Sequence, residues 1–316
     1  MLQQTQVATA IPYFERWLQR FPTVQTLADA PLDDVLKQWQ GLGYYARARN
    51  LHKAAQVICT EHGGVFPTTY EAVLALPGIG RYTAGAICSI ALGLDTPIVD
   101  ANVVRVLCRA FALPGDPKSR STQDALWEKA TELIPTGQAG TFNQAMMELG
   151  ALTCQSPPRC ASCPVQSVCA AYQRGTTDRF PELAAKPAFT QQTDVSAWIT
   201  QGEQLLLVKR PPSGLWGGLY ELPRVTAQEG ESLTAAAERA TREITGKAGK
   251  AGAVLATLRH GVTTRKITLH ALAITLSTSP TDLPENLVWA THDDLTRYPL
   301  SSPQAKLLAA IQAAEH

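Results

Sequence analysis

Four of the seven cysteines lie close together in the segment CQSPPRCASCPVQSVC, with five, two and five intervening residues. They are Cys154, Cys160, Cys163 and Cys169. Short loops that gather four thiolates suit either zinc or a four-iron cluster, since both accept four sulfur ligands. The clustering favours a metal site over a secreted disulfide framework, and the thiol count leaves zinc and iron–sulfur both open. Arg159, between the first two ligands, is placed to present its guanidinium to a phosphate.

A glycine turn opens a helical run in LPGIGRYTAGAI, residues 76–87. Gly78 and Gly80 flank one apolar residue, which lets the backbone approach a ligand closely while the free N–H groups of the next helix point at it. A phosphate fits such a turn. The same sequence is equally typical of an ordinary turn before a helix, so both interpretations stay open on these residues alone.

A single carboxylate follows in PIVDANVVRV, where Asp100 is framed by apolar residues and precedes another helical run. An acid at this position can cap the helix and interact favourably with its dipole. It can also act as a catalytic residue. For a lone aspartate, capping is the more common of these two roles.

The elements that position these residues are predicted to be helical up to about residue 150, because apolar residues recur at spacings of three and four with no alternating segment. Pro12 is predicted to end or kink the first helix near Ala10 or Ile11. The apolar pattern of that helix consists of Val7, Ile11, Phe14 and Leu18.

The second part of the chain has a different pattern. Residues 173–193 lack periodicity, contain two prolines and predict a linker. We then expect a hairpin from VSAWIT and QLLLVKR, strands at LYELP and KITLHALAI, and helices at ESLTAAAERATREI and SPQAKLLAAIQAA. This order predicts an α+β domain.

Length and composition allow two sizeable cores, since 45% of the 316 residues are apolar. No segment approaches the roughly 20 apolar residues that cross a bilayer, and the start lacks a signal-peptide pattern, which predicts a soluble intracellular protein. Residues 1–172 carry 13 Lys plus Arg and 13 Asp plus Glu, so any DNA binding rests on local motifs. Cys59, Cys88 and Cys108 are predicted to be ordinary buried thiols.

The order of the motifs resembles that of the adenine DNA glycosylases of the MutY type, in the helix-hairpin-helix glycosylase superfamily. The match covers residues 1 to about 172 and rests on MLQQTQV, GLGYYARARNLH, LPGIGRYTAGAI, PIVDANVVRV, FNQAMMELGALTC and the cysteine loop. The resemblance implies a multidomain protein: an all-α helix-hairpin-helix glycosylase domain over residues 1–172, the linker over 173–193, and an α+β Nudix-like domain over 194–316.

The resemblance also implies ligands and roles. The four cysteines would hold a [4Fe-4S] cluster, although the first gap is five residues where the family usually has six. The amides of Gly78 and Gly80 would grip a DNA phosphate. Asp100 would stabilise the oxocarbenium-like sugar, with Tyr82 and Asn102 orienting charge and water. Because bifunctional relatives resembling endonuclease III carry a Schiff-base lysine where Tyr82 stands, a monofunctional glycosylase is expected.

The resemblance also implies which residues contact the bases. Gln144 matches the residue that hydrogen-bonds the extruded adenine. Gln4 and Tyr44, the latter preferred over Tyr45, match residues that wedge into the duplex and fill the gap left by base flipping. The implied substrate-binding residues are Leu2, Gln144 and Thr263.

RPPSGLWGGLYELP and the helix after it resemble the Nudix-like domain that inspects 8-oxoguanine opposite adenine. A working Nudix hydrolase needs paired glutamates just after REI, where this chain has Gly246 and Lys247, so no magnesium site is expected. The lesion-reading loop, usually Phe, Ser or Thr, then His, corresponds to Val262, Thr263 and Thr264. Thr263 keeps a hydroxyl, while the aromatic ring and the imidazole are lost.

The expected function is hydrolysis of the N-glycosidic bond of adenine opposite 8-oxoguanine or guanine in double-stranded DNA, by a cytoplasmic, nucleoid-associated monomer. In the family the general acid is a glutamate two residues upstream of MLQQTQ, so the sequence is expected to begin just downstream of it and to be nearly or wholly inactive as written. The alternatives are a catalytically inactive mispair-binding fragment, and a bifunctional endonuclease III relative that acts on oxidised pyrimidines.

Overall fold

The computed structural model describes residues 1, 2, 5–185, 187–278, 283–291 and 293–315, so Gln4 lies outside the described residues. The chain forms two compact units, one of Met1–Cys59 with Pro187–His316 and one of Thr60–Lys186. This division differs from the predicted one, in which a linker at residues 173–193 joins two domains that are each continuous in sequence. The predicted domain bounds stay a prediction.

The helices of the described residues follow the predicted periodicity. They are α1 (Val7–Arg20), α2 (Val24–Ala28), α3 (Leu32–Trp39), α4 (Ala46–Glu61), α5 (Tyr70–Ala75), α6 (Arg81–Ala86), α7 (Ala101–Ala110), α8 (Arg120–Glu132), α9 (Ala139–Glu148), α10 (Ala170–Gln173), α11 (Leu233–Thr245) and α12 (Ser302–Glu315). Two five-residue π-helical segments continue α6 and α9, at Ile87–Ala91 and Leu149–Thr153. Within the described ranges, no helix is long and apolar enough to span a bilayer.

The prediction that Pro12 ends α1 near Ala10 or Ile11 is wrong, because α1 runs through it. A kink at this point stays a prediction. Pro12 removes one helical hydrogen bond, to the carbonyl of Ala8, and both residues are exposed, so water can take the place of the lost donor. Trp17 holds the helix to the core on the other side, with its ring 5.6 Å from that of Trp39. The four apolar residues that define the pattern of α1 face outward, with exposed fractions of 47–62%: Val7, Ile11, Phe14 and Leu18.

The strands begin at residue 190, inside the predicted linker. They are β1 (Thr190–Gln201), β2 (Gln204–Lys209), β3 (Tyr220–Glu221), β4 (Arg224–Thr226), β5 (Gly249–Val262), β6 (Arg265–Leu276) and β7 (Leu287–Thr291). The predicted hairpin, the other two predicted strands and both predicted helices are confirmed. The sequence patterns missed β4, β5 and β7; β5 is rich in Ala and Gly and lacks a clear apolar alternation.

The sheet runs β3-β2-β1-β6-β5, with β4 beside β1 and β7 beside β2. It is mixed, since β1 is parallel to β6 and the other pairs are antiparallel. Helix α11 packs on one face against Val195 and Ile199. Helix α12 packs with Leu205 and Leu207 in a second core cluster. The alternation along β1 and β2 therefore gives the sheet two apolar faces with a helix on each.

The first 59 residues share a core with the C-terminal sheet. Leu36 and Trp39 of α3 and Leu219 of the loop before β3 belong to one buried cluster. Lys209 Nζ lies 2.7 Å and 2.8 Å from the two carboxylate oxygens of Asp33. This packing joins segments far apart in the sequence, which local patterns do not reveal.

Removing the Asp33 carboxylate is expected to destabilise this unit by about 1 kcal/mol, because Lys209 and the Tyr220 hydroxyl, 3.2 Å from Asp33 Oδ2, lose their partner. Asp34→Ala is the matched control. Asp33 and Asp34 both lie in the first turn of α3, so the two variants lose the same interaction with the helix dipole. The ion pair of Asp34 with Arg20 is about half exposed. We expect a change within about 0.5 kcal/mol for the control in urea unfolding. Equal losses for the two variants would contradict the assigned contact.

Candidate active site and cysteine cavity

The glycine turn joins α5 to α6 in the unit formed by residues 60–186. Gly78 has a φ of +78°, a left-handed conformation that favours glycine. Gly80 is the N-cap of α6 and offers no side chain to the first N–H groups of the helix, which have no intrahelical partners. Both glycines are exposed. The guanidinium of Arg81 lies 4.2 Å from the centre of the Trp127 ring, which holds a cation beside the turn.

Asp100 is the N-cap of α7, and its two carboxylate oxygens have different partners. Oδ1 accepts a hydrogen bond from the backbone N–H of Val103 at 2.7 Å, and Oδ2 accepts one from Asn102 Nδ2 at 3.1 Å. Burial and the charge of Asp100 raise the pKa of the Tyr82 hydroxyl, which therefore stays protonated at neutral pH. The structure thus brings together the three residues predicted to be catalytic. Asp100 caps α7, and the capping hydrogen bond orients its carboxylate.

Arg105, one turn further along α7, was missed by the sequence reasoning. Its Nη2 donates to Asn102 Oδ1 at 2.9 Å and to the carbonyl of Gly150 at 2.5 Å, and its Nε donates to the carbonyl of Cys154 at 2.6 Å. Arg105 therefore ties the amide that contacts Asp100 to the start of the cysteine loop. The only sequence signal was a cation among valines in NVVRV.

Gly150 lies against Asn102 so closely that a side chain cannot enter. A Cβ built on Gly150 would lie 2.6 Å from Asn102 Cβ and 2.8 Å from its carbonyl oxygen. The π-helical turn places this glycine there and directs its carbonyl at Arg105. Backbone spacing at this point sets the position of the Asn102 amide.

Gly150→Ala is expected to lower the free energy of unfolding by about 1–3 kcal/mol, since α7 and the π-helical turn must separate to admit the methyl group. Thermal unfolding of the full chain measures the loss. In the control Gly252→Ala the new Cβ has its nearest neighbour at 3.6 Å, an ordinary contact. A Gly150 variant as stable as the control would show that the contact is not tight.

The segment leading to Asp100 is held by Asn143, another residue without an assigned role in the sequence analysis. Asn143 is 2% exposed; its Oδ1 accepts from the N–H of Ile98 at 3.2 Å, and its Nδ2 donates to Ser89 Oγ at 3.0 Å and to the Thr96 carbonyl at 2.8 Å. Its neighbour Gln144 is exposed. The Gln144 side chain makes one helical contact, from Nε2 to the Gly140 carbonyl at 3.1 Å. The amide of Gln144 is thus accessible to a ligand.

The four clustered cysteines line one cavity of about 410 Å³, including space open to solvent. They are free, half-buried thiols: Cys154, Cys160, Cys163 and Cys169. Burial raises the pKa of the Cys160 thiol, and the other three sulfurs raise it further. In the described part of the chain, no three His, Cys, Asp or Glu side chains converge closely enough to hold a single metal ion. Four thiols on one cavity are a donor set that zinc and iron–sulfur clusters both accept.

The remaining cysteines are not all buried. Cys88 and Cys108 are buried as predicted, whereas Cys59 is only half-buried, so that prediction is wrong for Cys59. Burial raises the pKa of the Cys108 thiol to about 11, which keeps it protonated and unreactive.

Three predicted contact residues lie in the other unit. Tyr44 is 62% exposed, with a φ of +48°, whereas Tyr45 is buried and donates its hydroxyl to the Leu300 carbonyl at 3.2 Å. Tyr44 is therefore the tyrosine accessible to a ligand. Leu2 is exposed. Thr263 is exposed in the two-residue turn between β5 and β6, with a φ of +52°.

Arg239 of α11 is paired with two carboxylates, that of Glu231 just before the helix and that of Glu243 one turn further along it. Arg239 lies 2.8 Å from Glu231 and 3.2 Å from Glu243. Its hydrogen bond holds the pKa of Glu231 at about 2. Gly246, with a φ of +68°, ends the helix where a hydrolase would need glutamates.

Two sequence families match the chain, the "HhH-GPD superfamily base excision DNA repair protein" over residues 1–132 and the "NUDIX domain" over residues 195–310. The human adenine DNA glycosylase is 36% identical over 367 aligned positions, which cover 99% of this chain and 66% of that protein. The mouse adenine DNA glycosylase is 42% identical over 73% of this chain and 54% of its own length. The chain thus spans between about half and two thirds of the length of these relatives.

The helical fold also matches a solved structure. A thermostable thymine-DNA glycosylase superimposes with a TM-score of 0.50 and 30% sequence identity, over 55% of this chain and 80% of that one. Together, the sequence and structure matches agree with a helical glycosylase-like part followed by a Nudix-like α/β part with a mixed sheet.

Proposed function

Because the chain belongs to the adenine DNA glycosylase family, within the HhH-GPD superfamily, we propose that it hydrolyses the N-glycosidic bond of adenine opposite 8-oxoguanine or guanine in DNA. The observation that carries the proposal is the Asp100 carboxylate, oriented by the Val103 N–H and the Asn102 amide at the start of α7.

The Asp100 carboxylate is suited to stabilise a positive charge. The N-terminus of α7 favours its ionised form, and two hydrogen bonds fix its oxygens before any substrate binds. Loss of a purine leaves an oxocarbenium-like sugar, which a preorganised carboxylate stabilises without reorganisation. Tyr82 and Asn102 complete the group by orienting charge and water.

The proposed reaction is hydrolysis without strand cleavage. Tyr82 stands where bifunctional relatives carry a lysine, and a phenol has no amine with which to form a Schiff base with the sugar. A borohydride-trapped complex would indicate the alternative, a bifunctional enzyme.

The remaining proposed contacts are with DNA. The amides of the Gly78–Gly80 turn bind a phosphate, Tyr44 and Gln4 fill the space left by the flipped base, and the exposed amide of Gln144 reads adenine. Leu2 and Thr263 complete the substrate contacts, with Thr263 toward the opposite base. We propose that the protein acts as a monomer on nucleoid DNA in a bacterial cytoplasm.

We further propose that the four clustered cysteines hold a [4Fe-4S] cluster. Four free thiols on one cavity form the donor set that such clusters require. These four side chains would hold the cluster, and their bonds to iron would fix the loop. The loop then presents Arg159, which is exposed at the rim of the cavity, to a DNA phosphate.

The test is to measure adenine release and gel-shift binding side by side, on one duplex that contains adenine opposite 8-oxoguanine. Release of free adenine with an intact strand supports the proposal. Binding without release would instead identify a mispair-binding protein without catalysis. Failure to bind this duplex more tightly than a fully paired one would reject both.

A further inference from the structure

Arg109 is a buried cation of α7 that faces the cysteine loop. It is 4% exposed. Its Nη1 donates to the carbonyls of Gln155 and Cys154, at 2.6 Å and 3.2 Å, and lies 3.4 Å from Cys154 Sγ. The guanidinium thus reaches the first sulfur of the cysteine cavity directly.

The other partners of Arg109 are neutral. Nε donates to the carbonyls of Thr177 and Phe180, both at 2.9 Å, and Nη2 lies 3.5 Å from Ser156 Oγ. Among the residues described, none of the ion pairs places a carboxylate at this guanidinium. A buried charge without a counter-charge costs several kcal/mol, so an anion is expected next to it.

The cysteine cavity can supply that anion. Four ligating thiolates carry more negative charge than the cluster core carries positive charge, and Arg109 lies against one of them. We infer that Arg109 is the counter-charge of the iron–sulfur cluster; this inference rests on the cofactor assigned under the proposed function. A fixed positive charge stabilises the more negative, reduced cluster and therefore raises its reduction potential.

The experiment uses the full chain in four forms: unsubstituted, Arg109→Gln, Arg109→Lys and Arg159→Gln. Iron content and visible absorbance report loading, and film voltammetry, with the electrode as the electron donor, reports the one-electron potential. We expect Arg109→Gln to lower the reduced-to-oxidised ratio at a fixed potential about tenfold, which is 59 mV for one electron. Arg109→Lys keeps the charge and is expected near the unsubstituted value.

Arg159→Gln is the matched control, since Arg159 lines the same cavity but is exposed, and solvent screens its charge. An Arg109→Gln chain that loads no cluster, beside an Arg109→Lys chain that does, also supports the charge role. Equal shifts in the two Arg109 variants, no shift in either, or failure of both to load would overturn the inference while leaving the cofactor in place. An unsubstituted chain without iron would overturn the cofactor proposal, and this inference with it.

Discussion

In a chain extended upstream of Met1 to include the family's general-acid glutamate, replacing Asp100 by asparagine is expected to lower single-turnover release of adenine about a thousandfold or more. This loss corresponds to about 4 kcal/mol of transition-state stabilisation. Asparagine retains the shape of the side chain but removes the negative charge. The Asn102 amide then faces a neutral group, and nothing opposes the charge that develops on the sugar. Binding of the intact duplex is expected to change only a few-fold.

The matched control is Asp124→Asn, at an exposed position of α8 whose carboxylate lies 4.0 Å from Arg120 and makes no closer ion pair in the described chain. It carries the same chemical change away from the proposed site and is expected to excise adenine at the unsubstituted rate. Equal losses in both variants would point to the overall charge rather than to Asp100.

The second large effect is expected at Arg105. Arg105→Gln removes the donors that hold the Asn102 amide and the carbonyls of Gly150 and Cys154. Because a displacement of about 1 Å at a catalytic group can cost about 100-fold in rate, we expect a loss of that order in excision. Amides of residues 149–155 should also exchange faster with solvent, since the cysteine loop loses its link to α7.

Arg120→Gln serves as the control for Arg105, because the Arg120 side chain is almost fully exposed and contributes only a long ion pair. It should leave both the rate and the exchange pattern unchanged. An Arg105 variant with full activity but faster amide exchange would show that the order of the cysteine loop does not affect catalysis. That result would refute the role of Arg105 in positioning the Asn102 amide.

The residues gathered at the start of α7 could be predicted because they lie in short, recognisable motifs. Asp100 and Asn102 are adjacent in one helical turn, and the glycine turn specifies its own backbone shape. Arg105 and Asn143 could not be found this way. Apart from Asn102 beside Arg105, their partners lie 45 to 54 residues away, and only the tertiary fold brings them together.

The fold shows the same limit. Apolar periodicity predicted the helices and the first hairpin, but the Ala- and Gly-rich β5 lacks the alternation that identifies a strand. Periodicity also failed to show which side of α1 is buried, since Trp17 packs inward while its apolar stripe faces outward. The pairing of α3 with the C-terminal sheet depends on contacts such as Asp33 with Lys209, which no local pattern encodes.

The most direct test extends the chain upstream of Met1 to include the family's general-acid glutamate. Both products of its single-turnover reaction, on a duplex with one adenine opposite 8-oxoguanine, are then identified by mass spectrometry. Free adenine and a full-length strand with one abasic site are the predicted products, and Asp100→Asn should form neither. Adenine release undiminished in Asp100→Asn, or no release from a duplex that the extended chain demonstrably binds, would contradict the account.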